Sequence, residues 1–111
     1  MIQDVRNTIG LKDRQIKNIK QVFSKYNHVD EVVIYGSRAL GNYRKASDID
    51  LAVKGGNLNS TDEMRITFDL DDLMLPYKFD ITIYNHINNQ ELRHHIDQFG
   101  KIIYRKQATQ P

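Results

Sequence analysis

Val32-Val33-Ile34-Tyr35-Gly36-Ser37-Arg38-Ala39-Leu40-Gly41, followed by Ser47-Asp48-Ile49-Asp50-Leu51-Ala52-Val53, decides how this chain is read. Val32 to Tyr35 is a short, largely β-branched run closed by glycine, the pattern of a buried strand. Ser37 to Leu40 supplies helix formers straight after the glycine, so strand, turn and short helix are expected in succession. Ile49 to Val53 reads as a second strand. Asp48 and Asp50, two positions apart, leave it on one face while Ile49 points into the opposite layer.

Upstream, Ile16, Ile19, Val22, Phe23 and Tyr26 fall at helical spacing among Lys and Asn, which predicts an amphipathic helix from about Leu11 to Tyr26. Residues 1–10 show no period. Downstream, the polar stretch Gly41 to Ser47 reads as a surface loop, and Gly55-Gly56-Asn57 ends the second strand. Ser60 with Glu63 makes a capping-box pattern, with Ile66, Leu70, Leu73 and Met74 as the apolar stripe of a helix that Pro76 ends. Phe79 to Tyr84 alternates as a third strand. Asn88 with Glu91 repeats an N-cap signature, Leu92, Ile96 and Phe99 give the stripe of a last helix with Gly100 behind it, and Ile102 to Tyr104 reads as a closing strand. Arg105 to Pro111 is polar and without period, a loose tail. The order helix, strand, helix, strand, helix, strand, helix predicts an α/β (α+β) domain, a small mixed sheet flanked by helices.

The 111 residues suit one domain. Apolar residues are 40% and charged residues 27%, the balance of a folded globular chain. No apolar run approaches the ~18 to 20 residues of a membrane span, and Met1-Ile2-Gln3-Asp4 lacks the layout of a secretory signal, so no membrane partner and a cytoplasmic location are expected. With no cysteine, any metal must be held by oxygen or imidazole. A formal charge of +2 is too small to argue for a nucleic-acid-coating surface, and no direct nucleic-acid binding is expected.

Paired carboxylates on one strand face repel each other, and a hard divalent cation relieves that repulsion. Mg²⁺ held by one or two carboxylates plus substrate phosphates is the arrangement expected for nucleoside triphosphates. Asp80, on the next strand, would come alongside and complete a site for two metals. Taken singly, each carboxylate reads first as a solvated residue at a strand start; it is the combination that favours a metal. Gly36 permits a sharp turn and close backbone approach, while Ser37 offers a hydroxyl and opens a helix whose N–H groups attract phosphate; Arg38 adds a cationic donor. The plain alternative is an ordinary strand-to-helix turn with Ser37 as N-cap. Arg44 and Lys45 read as solubilising the loop. His94-His95 point in different directions on a helix, so a metal pair is not expected and a surface or half-buried role is. Asp69, Asp71 and Asp72 mark the wet side of a helix, and Tyr35, Tyr77, Tyr84 and Tyr104 are expected in the core or at its edge.

Gly36-Ser37, a spacer of about ten residues and Asp48-Ile49-Asp50 resemble the signature of the minimal nucleotidyltransferases of the DNA polymerase β superfamily, with Phe79-Asp80-Ile81 similar to that family's third-carboxylate strand. The resemblance runs from the helix around Ile16 to the Leu92 to Tyr104 segment and implies a polymerase β palm-like fold. It implies that Gly36 and Ser37 hold the β and γ phosphates, that Asp48 and Asp50 ligate two Mg²⁺ ions, and that Asp80 completes the site and takes the acceptor's proton. One departure is Leu40, where many members carry Arg or Lys. Small members of this kind resemble antitoxins paired with an all-α HEPN-type RNase toxin, and modify a toxin tyrosine with AMP from ATP. The function expected is Mg²⁺-dependent transfer of AMP to a hydroxyl of such a partner within a hetero-oligomer. The alternatives are transfer to a small molecule, which needs a helper domain, and neutralisation of the partner by binding alone.

Overall fold

The computed structural model describes residues 9–44 and 47–106; most of the expected period-free start and most of the expected tail lie outside the described residues. Its elements follow the predicted order: α1 (Asp13–Ser24), β1 (Glu31–Tyr35), α2 (Ser37–Leu40), β2 (Ile49–Lys54), α3 (Ser60–Asp71), β3 (Phe79–Ile83), a 3₁₀ turn (Tyr84–His86), α4 (Gln90–Phe99) and β4 (Lys101–Arg105). The strands form one mixed sheet in the order β3-β2-β1-β4. β1 is antiparallel to both β2 and β4, and β2 runs parallel to β3 with α3 as the crossover between them.

Strand alternation divides the apolar residues between two layers. Val32, Ile34, Ile49, Leu51, Val53, Phe79, Ile81 and Ile83 join Ile19, Val22 and Phe23 of α1 and Ile66 and Leu70 of α3 in the larger core. Val33, Tyr35 and Ala52 face the other way and meet Ile96 of α4 and Ile87. Asp50 shares its face with Ala52 by the two-residue period, so the carboxylates belong to the face that α4 covers in part. Tyr26, just beyond α1, ties to α3 through its hydroxyl, which donates to Asp69 Oδ2 at 2.5 Å. Burial, then the hydrogen bond to Asp69, pushes that phenol up to about 12.

Several boundaries differ from the sequence expectation. The box at the start of α3 is Asn59 with Asp62, not Ser60 with Glu63: Asn59 Oδ1 accepts the Asp62 N–H and Asp62 Oδ2 accepts the Asn59 N–H, both at 3.0 Å. Asn caps as well as Ser, and the helix begins where the stripe Ile66 and Leu70 turns inward. Asn89, not Asn88, caps α4 by accepting the Leu92 N–H at 3.1 Å. α3 stops at Asp71, and Met74, expected on its stripe, is 84% exposed at φ 59°. Tyr84 leaves the third strand for the 3₁₀ turn, and Arg105 belongs to β4, where its guanidinium pairs with Glu31 of β1 at 2.9 Å. Phe99, expected on the inward stripe of the last helix, is 45% exposed. Among the described residues no helix is long and apolar enough to cross a membrane.

Candidate active site

β1 ends at Tyr35 and the chain turns at Gly36, whose φ of 77° and ψ of −151° lie in a region essentially closed to residues with a Cβ. A Cβ placed there would stand 2.5 Å from Asp50 Oδ2, so the glycine also makes room for a carboxylate packed under the turn. α2 is a single turn closed by Gly41 at φ 85°, whose N–H donates to the Ser37 carbonyl at 3.0 Å. Ser37 is half-buried at the start of that turn.

The pairing registers put Tyr35 opposite Asp50 and Asp50 opposite Asp80, a row across β1, β2 and β3 on one face. Asp48 stands one residue before β2 on the same side as Asp50 and is exposed, as is Asp80, while Asp50 is half-buried. Burial, then the charges of Asp80 and Asp48, push the Asp50 carboxyl above the usual range. Tyr35 Oη lies 3.5 Å from Thr82 Oγ1, and the phenol is likewise raised, first by burial and then by Asp50 and Asp80 against the Thr82 contact. Anionic side chains therefore crowd one patch beside a tight turn. That donor set, oxygen only, suits a hard divalent cation. Among the described residues no His, Cys, Asp or Glu side chains are already gathered in threes around a common point, so the carboxylates would have to converge as a cation enters.

Arg38 is placed differently from its expectation as a phosphate donor. It is 1% exposed; Nη1 donates to the Ile9 carbonyl at 2.9 Å and Nη2 to the Ser47 carbonyl at 3.0 Å. The guanidinium also lies over the rings of Tyr43, 5.0 Å to the centroid, and Tyr77, 4.8 Å. It braces the backbone immediately before Asp48 instead of facing the turn. The buried charge is tolerable because carbonyls and aromatic faces replace water around it. Leu40, where the resembled family often carries Arg or Lys, is 49% exposed at the end of the same helical turn.

His95 and Tyr35 were not singled out for chemistry in the sequence. His95 Nε2 accepts the N–H of Gly36 at 3.1 Å, placing an imidazole of α4 directly on the turn. Nothing in the local pattern signals this, since the two residues are 59 positions apart. Tyr35 had one available signal, its position next to Gly36-Ser37. A groove of about 420 Å³ runs between α3 and β3, lined by Met64, Thr67, Phe68, Phe79 and Ile81, and meets the carboxylate row at Asp80.

A family model described as polymerase beta, nucleotidyltransferase matches residues 17–109. No curated protein sequence matches significantly. Among solved structures the fold is similar to a chain of a toxin-antitoxin structure determined with AMP-PNP, with a TM-score of 0.69 and 18% identity, covering 83% of this chain and 74% of that one. It is similar to a chain of a Shewanella oneidensis complex of tri-AMPylated HEPN toxin with MNT antitoxin, at 0.65 and 15%, covering 84% and 71%. A structure from Sulfolobus solfataricus assigned to the nucleotidyltransferases aligns at 0.51 and 19%, covering 96% and 91%. At these identities the likeness is one of fold.

Proposed function

From the membership of this chain in the polymerase beta nucleotidyltransferase family, we propose that it transfers AMP from ATP to a hydroxyl, that of a tyrosine, on a partner HEPN-type toxin, and so acts as an antitoxin. The observation that carries the reading is the alignment of Asp50 with Asp80 beside the Gly36 turn, with Asp48 two residues before Asp50. The partner and nucleotide are suggested by similar folds described as toxin-antitoxin assemblies, one with AMP-PNP and one with a tri-AMPylated toxin.

In this reading Ser37 and the backbone of the turn orient the terminal phosphates of ATP, and Arg38 keeps Ser47 and hence Asp48 in place. Asp48, Asp50 and Asp80 would hold Mg²⁺, which when bound offsets the charge on the attacking oxygen and the leaving pyrophosphate. The acceptor hydroxyl oxygen forms a bond to the α-phosphorus, the bond from that phosphorus to pyrophosphate breaks, and Asp80, exposed at the sheet edge, accepts the hydroxyl proton.

Intact-mass measurement of the co-purified partner after incubation with ATP and Mg²⁺ tests this. Gains in steps of one AMP that vanish in Asp48→Ala and Asp50→Ala are expected. A partner left unmodified by the wild type yet neutralised equally by the double mutant would replace transfer with neutralisation by binding.

A further inference from the structure

His95 sits where the proposed reaction needs a fixed backbone. Gly36 holds a conformation that glycine alone adopts readily, and the same freedom leaves glycine the residue most able to swing out of it unless a partner holds the turn. The Gly36 N–H is donated to His95 Nε2 at 3.1 Å. A backbone N–H can only donate, so Nε2 must carry its lone pair and the imidazole proton must reside on Nδ1. The ring itself is held: it stands edge-on to Tyr35, with centroids 6.2 Å apart and an interplanar angle of 76°, and packs against Phe99 at 5.5 Å. Its neighbour His94 is exposed.

We propose that His95 is a positioning residue whose Nε2 locks the Gly36 turn, so that Ser37 faces the phosphates of ATP and the Asp50 carboxylate keeps its place under the turn. The proposal rests on the nucleotidyl-transfer reading and specifies how that site is held. Two features of the structure converge on it. The space a Cβ at Gly36 would take is filled by Asp50 Oδ2, so any swing of the turn moves against a carboxylate of the reaction. The only side chain with a hydrogen bond to the Gly36 N–H, among the described residues, comes from α4, an element that otherwise touches this end of the sheet through Tyr35. The Gly36 N–H is thereby committed to His95, and phosphate is left to the Ser37 hydroxyl and the N–H groups that follow.

The test compares His95→Leu, which removes the acceptor, with His95→Gln, whose amide oxygen reaches a similar point, and with His94→Leu. Hydrogen exchange of the Gly36 amide in the unliganded protein is read first, then KM for ATP and kcat with the partner protein as acceptor. His95→Leu should speed Gly36 exchange and raise KM for ATP, each about tenfold, the scale of one lost hydrogen bond. In the same variant, kcat at saturating ATP should stay within about threefold. His95→Gln should restore KM to within about threefold of wild type, and His94→Leu should change neither.

Unchanged Gly36 exchange in a folded His95→Leu, or a Gln variant no better than Leu, overturns the proposal. Should the Leu variant not fold, the imidazole ¹⁵N spectrum of the wild type decides: the Nδ1–H tautomer supports the brace and an Nε2–H tautomer overturns it. If the wild type transfers no AMP, the transfer reading fails, while the exchange measurement still decides for or against the brace.

Discussion

Replacing Gly36 by alanine should be the most damaging single-methyl change at the candidate site, through two separable terms. Alanine at φ 77°, ψ −151° carries backbone strain of about 1–3 kcal/mol. The new methyl also lands 2.5 Å from Asp50 Oδ2, so that side chain must leave its rotamer at about 0.5–1.5 kcal/mol. Together they predict a loss of about 2–4 kcal/mol, or a melting temperature lower by roughly 8–16 °C for a domain of this size. Two other glycines calibrate the terms. Gly41, at φ 85° with nothing within 4 Å of a new Cβ, should show strain alone, about 1–2 kcal/mol. Gly56, with open space and no such φ, should stay within about 0.5 kcal/mol of wild type.

Repeating Gly36→Ala in an Asp50→Ala background completes a double-mutant cycle by thermal and urea unfolding. Removing the carboxylate should return about 1 kcal/mol of the penalty as a coupling between the two positions. In the single mutant, AMP transfer should fall at least about tenfold, because Asp50 has been pushed out of its row. A Gly36→Ala penalty equal to that of Gly41→Ala, with no coupling to Asp50→Ala, would refute the view that turn and carboxylate share one space.

Asp50→Asn should raise the melting temperature at neutral pH by a few degrees, because burial and the charges of Asp80 and Asp48 disfavour the ionised form, yet should abolish transfer; a melting curve paired with the mass assay reads both. Arg38→Met should cost about 3 kcal/mol or more by unfolding in urea, since the Ile9 and Ser47 carbonyls lose their donor inside the protein, and Arg38→Lys should not restore it because an ammonium cannot span both carbonyls and stack between two rings. Tyr26→Phe should cost about 1.5 kcal/mol, the value of a hydrogen bond to a charged carboxylate. Because the Tyr26 phenol is raised to about 12, the stability it contributes should be complete below about pH 10 and be lost as the pH climbs toward 12, measured by unfolding across that range.

Much of the candidate site was legible because it depends on local rules. A pleat of period two places Asp48 and Asp50 on one face whatever the sheet does around them. A glycine between a β-branched run and a serine signals a turn that only glycine adopts. The sequence places the α3 capping box one residue late because Asn59-Asp62 and Ser60-Glu63 satisfy the same pattern, and only the direction in which Ile66 and Leu70 are buried selects between them. Arg38 carries a related ambiguity. An arginine after a phosphate-type turn and an arginine in a buried brace have the same letters, and the partners that separate them are Ile9, Tyr43, Ser47 and Tyr77.

By itself the sequence determined the order of the elements, the sharp turn at Gly36-Ser37 and the shared face of Asp48 and Asp50, all consequences of backbone dihedrals and side-chain period within a few residues. Only the tertiary structure decided that Tyr35, Asp50 and Asp80 stand in one row, that Arg38 turns inward, and that His95 reaches Gly36. Those outcomes depend on strand register and on where α4 docks. Register follows from burying Val32 and Ile34 of β1, Ile49, Leu51 and Val53 of β2 and Phe79, Ile81 and Ile83 of β3 in one core, and the docking of α4 from burying Val33, Tyr35, Ala52, Ile87 and Ile96 in the other, associations of residues far apart in the chain that no local pattern records.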